Sequence, residues 1–224
     1  MSKPDSPASR FDRRASSYED SLLQQFLFVP VQQTTLRLAR QLLPQARRVL
    51  DVGCGTGQLL RHTRPYYPTA ELVGVDLAGQ MVATATTITP GKLAICYLQG
   101  RAECLPFIDD AFDLVFTTLS LRHWTDLSAG IAEIGRVLTP GGLLVLAEVF
   151  PSCRRRRALP MLRRRHAAVP AELGTVLAAH RLAVIGSDHI PWFSLPDVQV
   201  IGARQAHQPS ANLPTQGHRP HFAT

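Results

Sequence analysis

Nowhere in this 224-residue chain does an apolar run approach the roughly 18 residues needed to cross a bilayer as a helix. The opening stretch, residues 1–14, is polar and charged and lacks the apolar centre of a secretory signal. Both absences predict a cytoplasmic location. Cysteine is sparse as well. The four thiols Cys54, Cys96, Cys104 and Cys153 form no C-x-x-C pair and have no companion histidines, which speaks against a disulfide framework or a metal cluster and for a reducing compartment. Charged residues make up only 18% of the chain against 45% hydrophobic, an ordinary balance for a soluble globular protein. At this length one well-buried domain suffices.

What charge there is lies unevenly. The formal net charge is +7, and Arg154, Arg155, Arg156, Arg157, Arg163, Arg164 and Arg165 supply seven positive charges by themselves. The basic character is therefore local. It reads either as a solvated helix face or as a patch that steers an anionic acceptor, a carrier-protein surface or a phosphate-bearing substrate. No aromatics are interleaved with the arginines for base stacking, which disfavours nucleic acid as a partner.

The chain is organised around residues 48–60, where the apolar run Val49-Leu50-Asp51-Val52 meets Gly53, Gly55 and Gly57 and then resumes with a helical pattern. An apolar run bounded by glycine reads as a buried parallel strand feeding a tight turn into a helix. Bare backbone there lets a nucleotide-like ligand lie against the N–H groups at the strand's carboxyl end. The dinucleotide fingerprint is G-x-G-x-x-G, whereas the spacing here is G-x-G-x-G with Asp51 two positions ahead. A second apolar run, residues 71–76, ends in Asp76, placed to accept hydrogen bonds from both hydroxyls of a ribose, or else to cap the following helix.

Loop, spacing and second acid together resemble motif I and the second-strand acid of the class I S-adenosylmethionine-dependent methyltransferases. Three further stretches resemble the small-molecule members of that family, typified by the quinone-biosynthesis C-methyltransferases and the malonyl-carrier-protein O-methyltransferase. The pattern Phe11-Asp12-x-x-Ala15-x-x-Tyr18 is similar to their N-terminal lid. Gly100-Arg101-Ala102-Glu103-x-Leu105-Pro106-Phe107 is similar to their segment over the adenine ring, and Leu138-x-Pro140-Gly141-Gly142 to their turn before the fifth strand. The resemblance covers residues 11–150 well and 170–203 by pattern. It implies S-adenosyl-L-methionine as cofactor, with Tyr18, Asp51, Gly53, Gly55, Gly57, Asp76, Leu77, Met81, Arg101, Ala102, Glu103 and Leu119 around it. One departure matters: the family's aspartate, which accepts a hydrogen bond from the adenine amino group, is Arg101 here, and arginine has donors only. A backbone carbonyl or Glu103 takes over, or the cofactor is held less tightly.

The rest of the chain alternates. Residues 93–98, 112–118 and 143–150 are further strands, with a helix from about 77 to 89 and another capped by Asp126 between them; the turn 139–142 stops that second helix. Strand-helix alternation requires right-handed crossovers and a parallel sheet. A helix at 171–180 and strands at 182–190 and 197–203 would complete the fold that the resemblance implies. That fold is α/β, a three-layer Rossmann-like arrangement on a seven-stranded, mostly parallel sheet whose last strand is antiparallel. The expected organisation is a leader and helical lid at 1–44, the methyltransferase domain at 45–204 with a short basic insertion at 151–169, and a disordered tail at 205–224.

An electrophilic methyl carbon needs alignment and water exclusion more than it needs a metal, and no metal cluster is legible. If the acceptor atom carries a proton, His123 is the candidate base, although beside Trp124 it reads equally as a packing residue. The expected activity is methyl transfer to a small-molecule or carrier-bound metabolite; the alternative is a non-catalytic protein that binds the same cofactor.

Overall fold

The computed structural model describes residues 28–150, 170–190 and 198–206. The lid tyrosine Tyr18, the arginine cluster and residues 207–224 of the tail expected from 205 lie outside them; Gln205, expected in that tail, is instead the last residue of a strand. Helix α1 (Val29–Leu42) opens the described chain. Pro30 stands in its first turn, where the missing N–H has no helical partner to lose. The helix buries Val31, Leu38 and Ala39 against one face of the sheet.

Seven strands form that single sheet: β1 (Arg48–Val52), β2 (Glu71–Asp76), β3 (Ile95–Gln99), β4 (Phe112–Thr118), β5 (Leu138–Val149), β6 (Leu182–Ile190) and β7 (Val198–Gln205). Their spatial order is β3-β2-β1-β4-β5-β7-β6. The first five run parallel, while β7 lies antiparallel to both β5 and β6. This is the mostly parallel, three-layer α/β arrangement expected from the sequence. Leu50, Leu114, Phe116 and Leu144 are fully buried in it, each contributing about 1.5 to 3 kcal/mol through loss of exposed apolar surface. Side chains alternate between two apolar layers. Val49, Leu114, Phe116 and Val145 meet α1 and α2 (Gln58–Thr63) on one face. Leu50, Val115, Leu144 and Ile201 meet α4 (Leu127–Val137) and α5 (Ala171–Ala179) on the other. Helix α3 (Gly79–Ile88) packs on β2 and β3.

Two boundaries differ from the sequence reading. The third strand starts at Ile95, because Gly91–Leu93 forms a single 3₁₀ turn and Ala94 takes a left-handed φ of 48°. The fifth strand starts at Leu138: Leu138 pairs with Phe112, then Leu143 pairs with Leu114, and the turn residues 139–142 loop out between them as a bulge. That turn therefore does not separate helix from strand but is absorbed into the strand. At the far end β7 continues two residues past 203, to Gln205.

Strand order reverses between β1 and β4, so the crossovers leave that point on opposite sides and open a crevice at the carboxyl ends of β1, β2 and β4.

Candidate functional site

The crevice is built first by the turn after β1. Gly53 has φ 78°, and a Cβ there would fall 2.5 Å from Ser120 Cβ, so only glycine lets the turn press against the loop after β4. Its N–H donates to Val75 O at 2.8 Å, tying the turn to β2. Gly55, at φ 53°, meets nothing within 4 Å of where a Cβ would stand. Its bare backbone faces open space in the cleft.

Asp76 closes this turn from the tip of β2. One carboxylate oxygen accepts from Gly55 N at 2.8 Å and the other from Ala78 N at 2.8 Å. The same side chain thus fastens the glycine turn and the entry to α3. Asp51, on β1, is in a different situation. It is 1% exposed, and neither carboxylate oxygen has a hydrogen-bond partner. Burial, and after it the charge of Asp76, push its pKa from 3.8 up to about 8. A buried acid without a partner is costly to ionise. Burial likewise holds the Cys54 thiol well above its ordinary value, reinforced by both aspartates, so it stays protonated and serves as a small filler.

The opposite wall is formed by residues 100–103 and by the loop after β4. Arg101 runs across it: its Nη2 donates to Thr125 Oγ1 at 3.1 Å and its Nε lies 3.6 Å from Glu103 Oε2. Glu103 Oε1 accepts from Thr125 N at 2.6 Å and Asp126 N at 3.3 Å. Burial pushes the Glu103 acid upward, but N–H groups of its own backbone, Thr125 and Asp126, together with Arg101, hold it below the ordinary carboxylate range overall. At the tip of β4, Leu119 adopts φ 54°, a strained value for a side chain of this kind. Ser120 Oγ pairs with Thr117 Oγ1 at 2.6 Å and reaches Val52 O at 3.3 Å, binding the tips of β4 and β1 together.

His123 ends the 3₁₀ turn Leu121–His123, its N–H donating to Ser120 O at 2.9 Å, and it lines the cleft. Trp124 beside it packs so closely on α4 that a Cβ on Gly130 would sit 2.4 Å from its ring. The packing role falls to the tryptophan, which leaves the histidine at the cleft wall. Arg122 completes the rim and donates from Nη1 to Glu148 Oε1 at 2.8 Å. Glu148 is 4% exposed, and its Oε2 has no partner.

Of the residues singled out in the sequence, Asp51, Gly53, Gly55, Asp76, Leu77, Met81, Arg101, Ala102, Glu103, Leu119 and His123 line one cleft. Gly57 does not. It is the left-handed cap of α2, and a Cβ there would meet the Tyr97 ring at 2.5 Å, so its role is packing behind the turn. Several lining residues carry no motif: Phe28 at the N-cap of α1 and Gln32 on it, and Ser120 and Arg122 from the β4 loop. Gln32 is 5% exposed and hydrogen-bonds Gln58 and His62, so α1 is pinned to α2 beside the glycine turn. Glu148 had a readable signal, a lone acid inside an otherwise apolar strand.

This donor set fits the cofactor that the motifs imply. The glycine turn leaves room against bare backbone, Asp76 offers acceptors to a ribose, and Asp51 offers an uncompensated acid to a cationic amino-acid end. Among the described residues no group of three or more His, Cys, Asp or Glu side chains is placed to hold a metal ion, and no helix is long and apolar enough to cross a membrane.

The chain is similar to known proteins in both sequence and fold. Residues 50–146 match the family described as a methyltransferase domain. A demethylmenaquinone methyltransferase of Deinococcus radiodurans is 41% identical over 114 residues, 50% of this chain and 47% of that protein. A malonyl-[acyl-carrier protein] O-methyltransferase of Dechloromonas aromatica is 32% identical over 143 residues, 63% of this chain and 50% of that protein. The chain thus spans about half the length of these two relatives. In fold, it is similar to a chain from the complex between the Haloferax volcanii Trm112 methyltransferase activator and the putative methyltransferase, with a TM-score of 0.71 at 21% identity over 92% of this chain and 100% of that one. Residues 50–146, with the glycine turn, both aspartates and the β4 tip, are thus the part of the chain that matches a methyltransferase domain, and they lie on a sheet similar in fold to that of a solved chain of this kind.

Proposed function

We propose that the chain transfers the methyl group of S-adenosylmethionine to a small-molecule or carrier-bound acceptor seated over the tips of β4 and β5. The observation that carries this reading is Asp51: a carboxylate 1% exposed, with both oxygens unpartnered, beside a glycine turn that faces open space. When bound, the cofactor supplies a methyl carbon already made electrophilic by its sulfonium. The chain's own residues then have two tasks. Asp76, Gly53 and Gly55 fix the nucleoside while Asp51, giving up its proton as the cationic amino-acid end arrives, compensates that end's charge. Positioning of this kind lowers a barrier by about 7 to 11 kcal/mol. His123, at the cleft wall, takes the acceptor's proton on a ring nitrogen, a contribution of about a hundred-fold or more. Arg122, held by Glu148, presents its remaining N–H donors at the same rim, which suits an acceptor bearing a carbonyl, carboxylate or other electron-rich oxygen.

The lid carrying Tyr18, the arginine cluster as an attractor of anionic acceptors, and a cytoplasmic location belong to this proposal. The relatives named for malonyl-[acyl-carrier protein] support a carrier-bound acceptor; those named for demethylmenaquinone support a small one. A second reading, a non-catalytic cofactor binder, is favoured by Arg101, where the family has an acceptor.

Incubation of the protein with labelled S-adenosylmethionine and a cell extract, followed by identification of whatever becomes labelled, tests the activity. Label on a metabolite or carrier is expected. His123→Ala should lower that transfer about a hundred-fold while leaving uptake of S-adenosylhomocysteine unchanged. Uptake without any transfer would favour the binder instead, and an unaltered rate in the variant would remove the histidine from the chemistry.

A further inference from the structure

The wall formed by residues 100–103 poses a chemical mismatch that the rest of the site does not resolve. An adenine amino group is a donor, and the side chain the family sets against it is an acceptor. Position 101 carries a guanidinium, which donates from every nitrogen. Two donors cannot satisfy one another.

We propose that in this chain the adenine amino group is accepted by the Glu103 carboxylate, with Arg101 drawn aside to hold that carboxylate in place. The inference rests on the cofactor reading above. Three observations carry it. Arg101 is already engaged within the wall, its Nη2 on Thr125 Oγ1 at 3.1 Å and its Nε 3.6 Å from Glu103 Oε2. Glu103 lines the same cleft, and its side chain is only 15% exposed. Its two oxygens are unequally used. Oε1 takes the backbone donors of Thr125 at 2.6 Å and Asp126 at 3.3 Å, whereas Oε2 is approached by Arg101 Nε at 3.6 Å. A carboxylate oxygen has two acceptor sites, so Oε2 retains capacity for a donor arriving from the cleft. The hydrogen bonds to the backbone fix the carboxylate's orientation and, against the effect of burial, hold it with the arginine's help below the ordinary carboxylate range. The acceptor is thereby moved two residues along the chain, and an arginine at 101 becomes a positioning residue rather than a defect.

The test is calorimetric and needs no turnover. The full chain is titrated with S-adenosylhomocysteine and with its 6-deamino analogue, whose purine bears hydrogen at C6. The wild type should bind the analogue about ten-fold or more weakly, the effect of losing a hydrogen bond to a charged acceptor. Glu103→Ala should bring that ratio close to one, Arg101→Met should lower it part of the way, because the carboxylate keeps its backbone donors but loses the guanidinium beside Oε2, and Arg101→Asp in the Glu103→Ala background should restore it. Should Glu103→Ala fail to fold, Glu103→Gln replaces a charged acceptor by a neutral one and is expected to cut the ratio about five-fold. A ratio unchanged by both Glu103 variants would overturn the proposal in favour of a backbone acceptor. Uptake of S-adenosylhomocysteine with no discrimination in the wild type would overturn it too, leaving the cofactor reading intact. No uptake of either compound would sink both.

Discussion

Asp51 and Asp76 stand at neighbouring strand tips in opposite circumstances, one without a partner and one with a backbone donor on each oxygen. The difference has a pH signature. Asp51 is pushed up to about 8 in the fold, whereas an unfolded aspartate titrates near 4. Between those values the folded chain holds a proton that the unfolded chain has released, so this residue subtracts stability as pH rises through that window. Asp51→Asn abolishes the titration. Its melting temperature should therefore fall less than that of the wild type between pH 5 and pH 8; an equal fall would show that Asp51 is already ionised and stabilised in the fold. The sequence made both acids legible through their distance from the glycines. It did not reveal that one would be orphaned, because that depends on which donors the β4 loop brings near, and those come from more than sixty positions away in the chain.

Among the elements, α4 and β4 were readable almost to the residue. The Asp126 cap, the Leu127–Ile131–Ile134 spacing and the apolar run 112–118 are local signals, and the fold adds only their partners. The cap is real in energetic terms: Asp126 Oδ1 accepts from Ala129 N at 3.0 Å. Asp126→Ala should cost about 1 kcal/mol, visible as a lower midpoint in denaturant with an unchanged slope. A loss near zero would mean that water or a neighbouring group replaces the cap. The starts of β3 and β5 were not readable for the converse reason. A left-handed Ala94 and the bulge at residues 139–142 exist because adjacent strands fix the register, and no local propensity reports a neighbour's register. Arg122 and Glu148 belong to the same class. Each could be seen singly, but their ion pair joins the loop after β4 to β5 across 26 positions.

For the molecule as a whole, the +7 charge and its concentration in seven arginines between β5 and α5 bear on encounter rather than on fold. Their contribution should fade as salt is added. Raising ionic strength from about 0.01 to 0.15 M shortens the screening length from roughly 30 to 8 Å. If the arginines draw in an anionic acceptor, kcat/KM should drop over that range, with kcat moving little. Salt-independent kinetics that also survive reversal of the arginine charges would leave the cluster as a solvated face. The fold at this scale was legible because strand-helix alternation leaves few topologies open. The seating of α1 on β5, β6 and β7 was not, since Val31, Thr35 and Leu38 announce a buried face without saying what buries it.

The order of the last three strands carries a consequence for biosynthesis. Because β7 is threaded between β5 and β6, a nascent chain that has not yet delivered residues 198–205 leaves two strand flanks bare, one of them bordering the highly apolar β5. Such flanks recruit foreign strands. Ribosome stalling or premature termination upstream of that segment would therefore yield aggregation-prone fragments rather than a smaller folded protein, and the strand over residues 198–205 is the keystone that closes the sheet.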